Sequence, residues 1–457
     1  MSEIRLETKP FAFINSPLWL IAALTIVLSL YDETLLGPAI FVSLISISLL
    51  HYRNLTPLIA FPTFIGINSE FMHKFIFIGN FSFSWKVPLL LCIIIYVLNF
   101  IYRQKKLNSF AVSPYFSMGW LVYLLFVSFK TQSFSFSPYA FVGLLFGLSI
   151  ASQLFANENR ENSRFLLILF FLSVLFMILV GYVEVIFERT FLMSQWAQEE
   201  RYRFGIMRIG STVADSNFLC SILLPSLFIF NTTPFKKIIT PSKVVFVNVI
   251  IVLQIFLTFS RTGMVLFFIG LSLLFILRSK HAKLLFIGLL PVVFFVAYKV
   301  MPLLMDVDIN SNAARGFVNN LAFNTFLENP LFGIGLGNFT SVSEQYTDSV
   351  VGALDTMNTY MSLLTSGGII SLCFYLVYIG FIYNKSKLLT SYDRRLFLVG
   401  FLLYNMFIYT IDSFFIYFTW IFPAILLALI HHSTDKKSEK DNSKSGDIDS
   451  NYDCYDN

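Results

Sequence analysis

Five arginines stand in polar inserts between long apolar runs. Arg201, Arg203 and Arg208 lie in EERYRFGIMRIGSTVADSN, Arg261 in FSRTG, and Arg315 in DVDINSNAARGFVNNLAFNTFLENPLFGIGLGNF. A guanidinium is planar, always charged, and presents donors that match phosphate oxygens two at a time. Arginines at the margin of apolar spans would therefore grip an anionic, lipid-linked substrate. Ser260 and Thr262 add donors beside Arg261. Closely set glycines at Gly333, Gly335 and Gly337 follow an Asn329-Pro330 turn, and LDTMNTYMSLLTSGGIIS offers Asp355 and Asn358 as caps of a helix whose start would attract an anion. Glu184, Asp215, Glu344, Asp355 and Asp412 could each take a proton, and spacing does not rank them. Every motif also has a plainer reading. The first arginines could pair with Glu199 and Glu200 or with lipid headgroups. Arg261 could snorkel to the interface. The Asn-Pro turn could simply pack on the membrane surface, and Asp355 could be no more than a cap.

What must position these groups is a membrane. The chain of 457 residues is 56% hydrophobic and 13% charged; a soluble domain carries about twice that charge. Its mean hydropathy is +0.72. Apolar spans are expected at Pro17–Leu30, Gly37–Leu50, Thr56–Ile67, Val87–Tyr102, Tyr115–Phe129, Tyr139–Phe155 and Phe165–Phe187. Further spans follow at Asn217–Phe230, Val244–Phe259, Gly263–Leu277, Leu284–Val300, Tyr360–Tyr383, Leu396–Tyr409 and Phe415–Ile430. Several are short, so about 12–14 transmembrane helices are expected. Pro57 and Pro62 make the third the weakest. Within the 306–371 insert, 311–327 reads as an amphipathic helix with Phe317, Leu321 and Phe326 on one face and Arg315 off it.

Alternate connections carry the short basic clusters: Arg5 and Lys9, Arg53, Arg103 to Lys106, Arg160 and Arg164, Lys236 to Lys243, Arg278 to Lys283, and Lys385 to Arg395. Short basic loops face the cytoplasm. The inserts bearing Arg203, Arg208, Arg261 and Arg315 then face outward, where insertion rules disfavour them, so another cause must hold them there. The polar, unpatterned segment 432–457 reads as a disordered cytoplasmic tail whose mixed charges argue against nucleic acid. No apolar leader with a cleavage site opens MSEIRLETKPF. Cys92, Cys220, Cys373 and Cys454 are scattered, with neither a disulfide framework nor a metal-ligand cluster.

At these residues the chain resembles the O-antigen ligase and O-antigen polymerase (Wzy-type) family. The matches are Arg203 and Gly205 with Asp215 and Asn217; Ser260 and Arg261; Arg315; Pro330, Gly333, Gly335, Gly337 and Phe339; and Asn358 with Gly368. The ligase branch has His immediately before that Asn, whereas this chain has Met357. The resemblance implies an all-α, polytopic membrane protein of the glycosyltransferase C type with a large extracytoplasmic loop. It implies a polymerase that joins undecaprenyl-diphosphate-linked oligosaccharides at the outer face of the cytoplasmic membrane. Arg261, Arg315 and Asp355 would be catalytic, and Arg203, Arg208, Ser260, Asn358 and Gly335 would bind substrate, with no metal or cofactor. The alternatives are a ligase passing glycan to a lipid or protein, and a transporter. Expected partners are the lipid-linked donor and acceptor, a flippase and a chain-length regulator. The expected organisation is a cytoplasmic N-terminus over 1–15, a membrane domain over 16–431 with extracytoplasmic loops near 188–214 and 301–357, and the tail.

Overall fold

A computed structural model describes residues 56–68, 75–78, 81–84, 86–103, 112–130, 136–188, 202–203, 206–213, 215–278, 309–346, 356, 358–412 and 416–446. The expected spans at Pro17–Leu30, Gly37–Leu50 and Leu284–Val300 lie outside these residues. The described chain is helical apart from two hairpins. One pairs β1 (Phe75–Ile78) with β2 (Phe81–Ser84); the other pairs β3 (Tyr202–Arg203) with β4 (Ile206–Met207).

The helices are α1 (Thr56–Ile67), α2 (Lys86–Arg103), α3 (Val112–Lys130), α4 (Phe136–Glu158), α5 (Arg160–Phe187), α6 (Ser216–Ile229) and α7 (Thr233–Ile238). They continue as α8 (Pro241–Leu257), α9 (Arg261–Arg278), α10 (Ile309–Glu328), α11 (Asn338–Glu344), α12 (Thr359–Lys385), α13 (Ser391–Ile408) and α14 (Tyr417–Gly446). Their starts are written in the sequence. Asn159 caps α5 by accepting from the Asn162 amide at 2.8 Å, and Asp215 caps α6 through the amides of Asn217 and Phe218. Pro234 and Pro241 stand in the first turns of α7 and α8, where a missing N–H costs nothing. The helix over Thr56–Ile67 forms as expected despite Pro62 inside it.

The segment 418–430 of α14 is buried throughout, packed against α4 and α5. The helices α2 and α3 flank α4, α6 and α9 flank α13, and α3 and α10 flank α12. Large apolar side chains face outward instead: Tyr115, Met118, Val122 and Phe126 along α3, and Val245, Phe246, Val249 and Leu253 along α8. Polar groups meet inside, as where Gln153 donates to Ser149 and to the Tyr378 hydroxyl. An apolar exterior around hydrogen-bonded polar contacts fits a membrane protein. Among the described residues, α5 and the segment Thr359–Leu388 have the length and hydropathy of full membrane crossings, and shorter apolar helices accompany them.

Helix α12 is broken in the middle. Gly368 takes φ 62°, ψ −164°, and four backbone groups around it leave the helical ladder. Each finds a partner outside the helix. The Thr365 carbonyl accepts from the Ile334 amide (2.7 Å), the Ser366 carbonyl from Gly335 (3.1 Å), and the Gly367 carbonyl from the Tyr123 hydroxyl (2.7 Å). The Ile369 amide donates to Pro330 (2.8 Å). The glycine-spaced segment 330–337 therefore docks backbone to backbone on the break. A Cβ on Gly333 would collide with the Thr365 carbonyl, and one on Gly368 with the Leu331 carbonyl.

Two expectations need correction. Helix α14 runs on to Gly446, so 432–446 is helical rather than an unpatterned tail. That stretch holds no proline, and no glycine before Gly446, so an established helix extends through it one residue at a time. On α10 the inward row is Val318, Ala322 and Thr325, while Phe317 is 45% exposed. Arg315 is three and seven residues before Val318 and Ala322, which places it on the inward face rather than off it.

Gly368→Ala should combine the cost of a backbone conformation open essentially only to glycine, about 1–3 kcal/mol, with the Leu331 collision, and lower the thermal unfolding midpoint in detergent. Gly380→Ala, which meets nothing within 4 Å, should hold or slightly raise that midpoint, since Ala is the better helix former by about 0.5–1 kcal/mol.

Candidate functional site

Hydrogen bonds fix the direction of the helices around α13. At its start, Asp393 accepts from the Thr233 amide (2.6 Å), just past the end of α6, and Arg395 donates to the Leu277 carbonyl (2.5 Å) at the end of α9. So α6 and α9 run antiparallel to α13, and their starts lie with its end. At that end the Ser260 hydroxyl donates to the Asn217 side chain (2.9 Å), tying the first turns of α9 and α6 together. The start of α12 joins them: the Thr359 amide and hydroxyl both donate to the Ile411 carbonyl, at 3.2 and 3.0 Å. Three helix N-termini, each with the partial positive charge of the helix dipole, thus collect at one end of the bundle.

The arginines sit there too. Arg208 donates from Nε to the Thr258 carbonyl (3.2 Å), two residues before Ser260. Arg261 is the first residue of α9. A cation at that position opposes the helix dipole, so an anion beside it is favoured. Arg315 donates to the Thr410 carbonyl (3.4 Å) just beyond α13. Arg208, Arg261 and Arg315 therefore come from three separate segments to one end. For Arg203 the backbone of β3 is described and the side chain is not. Asp355, with Arg201, Gly205 and Met357, lies outside the described residues.

Three of the expected substrate-binding residues have structural tasks. The Ser260 hydroxyl accepts from the Gly263 amide (3.2 Å) and caps α9, and Ser260 is almost wholly buried. The Asn358 side chain caps α12 by accepting from the Tyr360 amide (2.9 Å). The Gly335 amide is engaged by Ser366.

The acidic residues separate clearly. Asp215 caps α6. Glu184 is 1% exposed and accepts from the amides of Gly210 and Ser211, anchoring the turn that follows Arg208. Glu344 is exposed at the end of α11. Asp412, like Asp215, is partly buried at the arginine end, and it lies two residues after the carbonyl that Arg315 holds. It accepts from the hydroxyls of both Thr356 and Ser362. Asp412 was visible in the sequence as an acid between apolar runs; its two hydroxyl partners were not. Among the described residues no three His, Cys, Asp or Glu side chains are grouped as metal ligands.

Residues 246–370 match the family model Wzy_C, described as O-antigen ligase. The chain carries an O-antigen ligase family domain. That match takes in Ser260 and Arg261, Arg315, the glycines on the α12 break, and Asn358. Arg203, Arg208 and Asp215 precede it, and Asp412 follows it. No curated protein matches the chain. The family domain, with the apolar helices, supports a glycan-transfer function at a membrane.

Ser260→Ala removes a cap and the link to Asn217, and should cost about 1 kcal/mol of stability. Glycan-transfer rate per folded molecule should stay within about twofold if capping is its whole task. A larger loss would give Ser260 a contact with substrate.

Proposed function

We propose that this chain is a metal-independent polysaccharide polymerase. It joins undecaprenyl-diphosphate-linked oligosaccharide repeat units into a surface polysaccharide at the outer face of the cytoplasmic membrane. The observation that carries the reading is the gathering of Arg208, Arg261 and Arg315 with three helix starts at one end of the bundle. The opposite end carries Arg160, Arg164, Lys236, Lys237, Arg394 and Arg395 on its connections, the side that topology rules assign to the cytoplasm. On this reading the protein is a multi-pass, glycosyltransferase C-like bundle of about 12–14 spans. Its large outer loop lies near 301–357, with a second near 188–214.

The chemistry follows from charge. An acceptor hydroxyl oxygen attacks the anomeric carbon of the donor sugar and forms the new glycosidic bond. The bond from that carbon to the diphosphate oxygen breaks, and its electron pair stays on undecaprenyl diphosphate. Arg261 and Arg315 stabilise the charge growing there, with Arg203 and Arg208 holding the diphosphate. The hydroxyl proton passes to a carboxylate, and Asp412, oriented by Thr356 and Ser362, is the one we assign. Asp355, close in sequence to the start of α12, would be the alternative carboxylate to take that proton. Met357 stands where the ligase branch has His, which favours polymerase over transfer to a lipid or protein acceptor. A flippase would deliver the donor, and a chain-length regulator would set the product size.

A deletion strain should carry single-repeat glycan on a gel in place of a ladder. Glycan lost from the surface while still polymerised in the cell would instead assign the ligase reaction. Arg261→Ala and Arg315→Ala should each cut polymerisation by about 10²–10³-fold at unchanged protein level; wild-type ladders from both would remove them from the mechanism. Asp412→Asn should lower the rate while leaving donor binding unchanged, and a normal rate would exclude it as the proton acceptor.

A further inference from the structure

At the end of the bundle away from the arginine site is a cavity of about 330 Å³. It is lined by Arg160, Glu161 and Arg164 from the first turns of α5, Lys237 and Ile238 from α7, and His432 from α14. Three fixed cations face one carboxylate there. Arg160 is the first residue of a 28-residue helix, so the dipole of α5 adds to the positive potential. The walls are held in place by contacts of their own. The Ser163 hydroxyl donates to the Ala156 carbonyl (2.5 Å) and is 2.9 Å from His431 Nδ1, fixing α14 to the start of α5. Phe235 is buried against Phe230 and Phe171, and the Thr233 amide is bound by Asp393, which seats α7. Basic segments on this face need only be basic; nothing in topology requires α5 and α7 to bring their cations, with His432 of α14, around one concave space.

The geometry points to a binding site for a phosphate group in this cavity, distinct from the glycan-transfer site. The phosphate has two sources of the same chemistry: the headgroup of an anionic phospholipid, or free phosphate. The surroundings favour lipid. Ile238 gives the cavity an apolar wall, and seven and eight residues further along the chain Val245 and Phe246 stand outward on α8, 60% and 67% exposed, apolar surface suited to acyl chains. Basic pockets between membrane helices on the cytoplasmic side take anionic headgroups in this way.

The test uses the full chain, delipidated in detergent, and needs no glycan-transfer assay, so it stands apart from the proposed polymerase reading. Phosphatidylglycerol and inorganic phosphate are added separately, with the unfolding midpoint and the mass of retained lipid as readouts. Retained phosphatidylglycerol with a raised midpoint assigns the lipid source; protection by inorganic phosphate alone assigns the soluble one. In Arg160→Gln/Arg164→Gln/Lys237→Gln, retention should fall at least about tenfold. Glu161→Gln, a change on an exposed helix position, should bind severalfold more tightly and gives a readout even if the triple variant fails to fold. No protection by either probe, or equal binding by wild type and both variants, would overturn the proposal.

Discussion

Inside an apolar bundle a backbone group that leaves its helix must find another partner, because an unpaired one costs several kcal/mol. The break in α12 releases three carbonyls and an amide, and all four are met from outside the helix. Three of those partners belong to 330–335, and the fourth is the Tyr123 hydroxyl on α3. Further contacts tie the same region to α3: Trp120 donates to Ser371 at 3.0 Å, and the Leu336 amide donates to Ser128 at 3.0 Å. The long insert is thus a structural member of the bundle. Its docking decides where α10 ends and α11 begins.

The two ends of the bundle differ in how they hold their cations. At one, Arg208 and Arg315 donate to main-chain carbonyls of other segments, contacts that bring no formal negative charge to the positive potential there. Helix starts add to it. At the other, lysines and arginines stand at helix ends and on the short α7, and one group of them surrounds a cavity. A carbonyl orients a guanidinium without neutralising it, as suits a residue that must meet a charged ligand.

The helices were legible because long apolar runs bounded by caps and basic residues leave few alternatives: Thr56–Ile67 was read to the residue, and most other described helices within a few residues. The hairpin of β1 and β2 was missed, although FIFIGNFSFS carries a Gly-Asn turn. Only its second half alternates apolar with polar residues; FIFI is apolar at both positions and carries no period of two. The inward face of α10 was misassigned because phenylalanines were taken to point inward, and in a membrane-associated protein a large apolar side chain can as well face out. Arg261, Arg315 and the glycine run could be picked out by type and place. That Asp412 would meet Thr356 and Ser362, or that Gly335 would spend its amide on Ser366, depends on long-range approach and has no local signature.

Helix α10 is held at both extremes. Near its start Arg315 rests on Thr410, and just past its end Pro330 is fastened to the break in α12. Fifteen residues at 1.5 Å each make the span between them about 22 Å, so α10 acts as a ruler that sets how far the guanidinium reaches. One inserted residue would swing that guanidinium through about 100° about the helix axis. Tolerance to insertion should therefore end abruptly between 315 and 330.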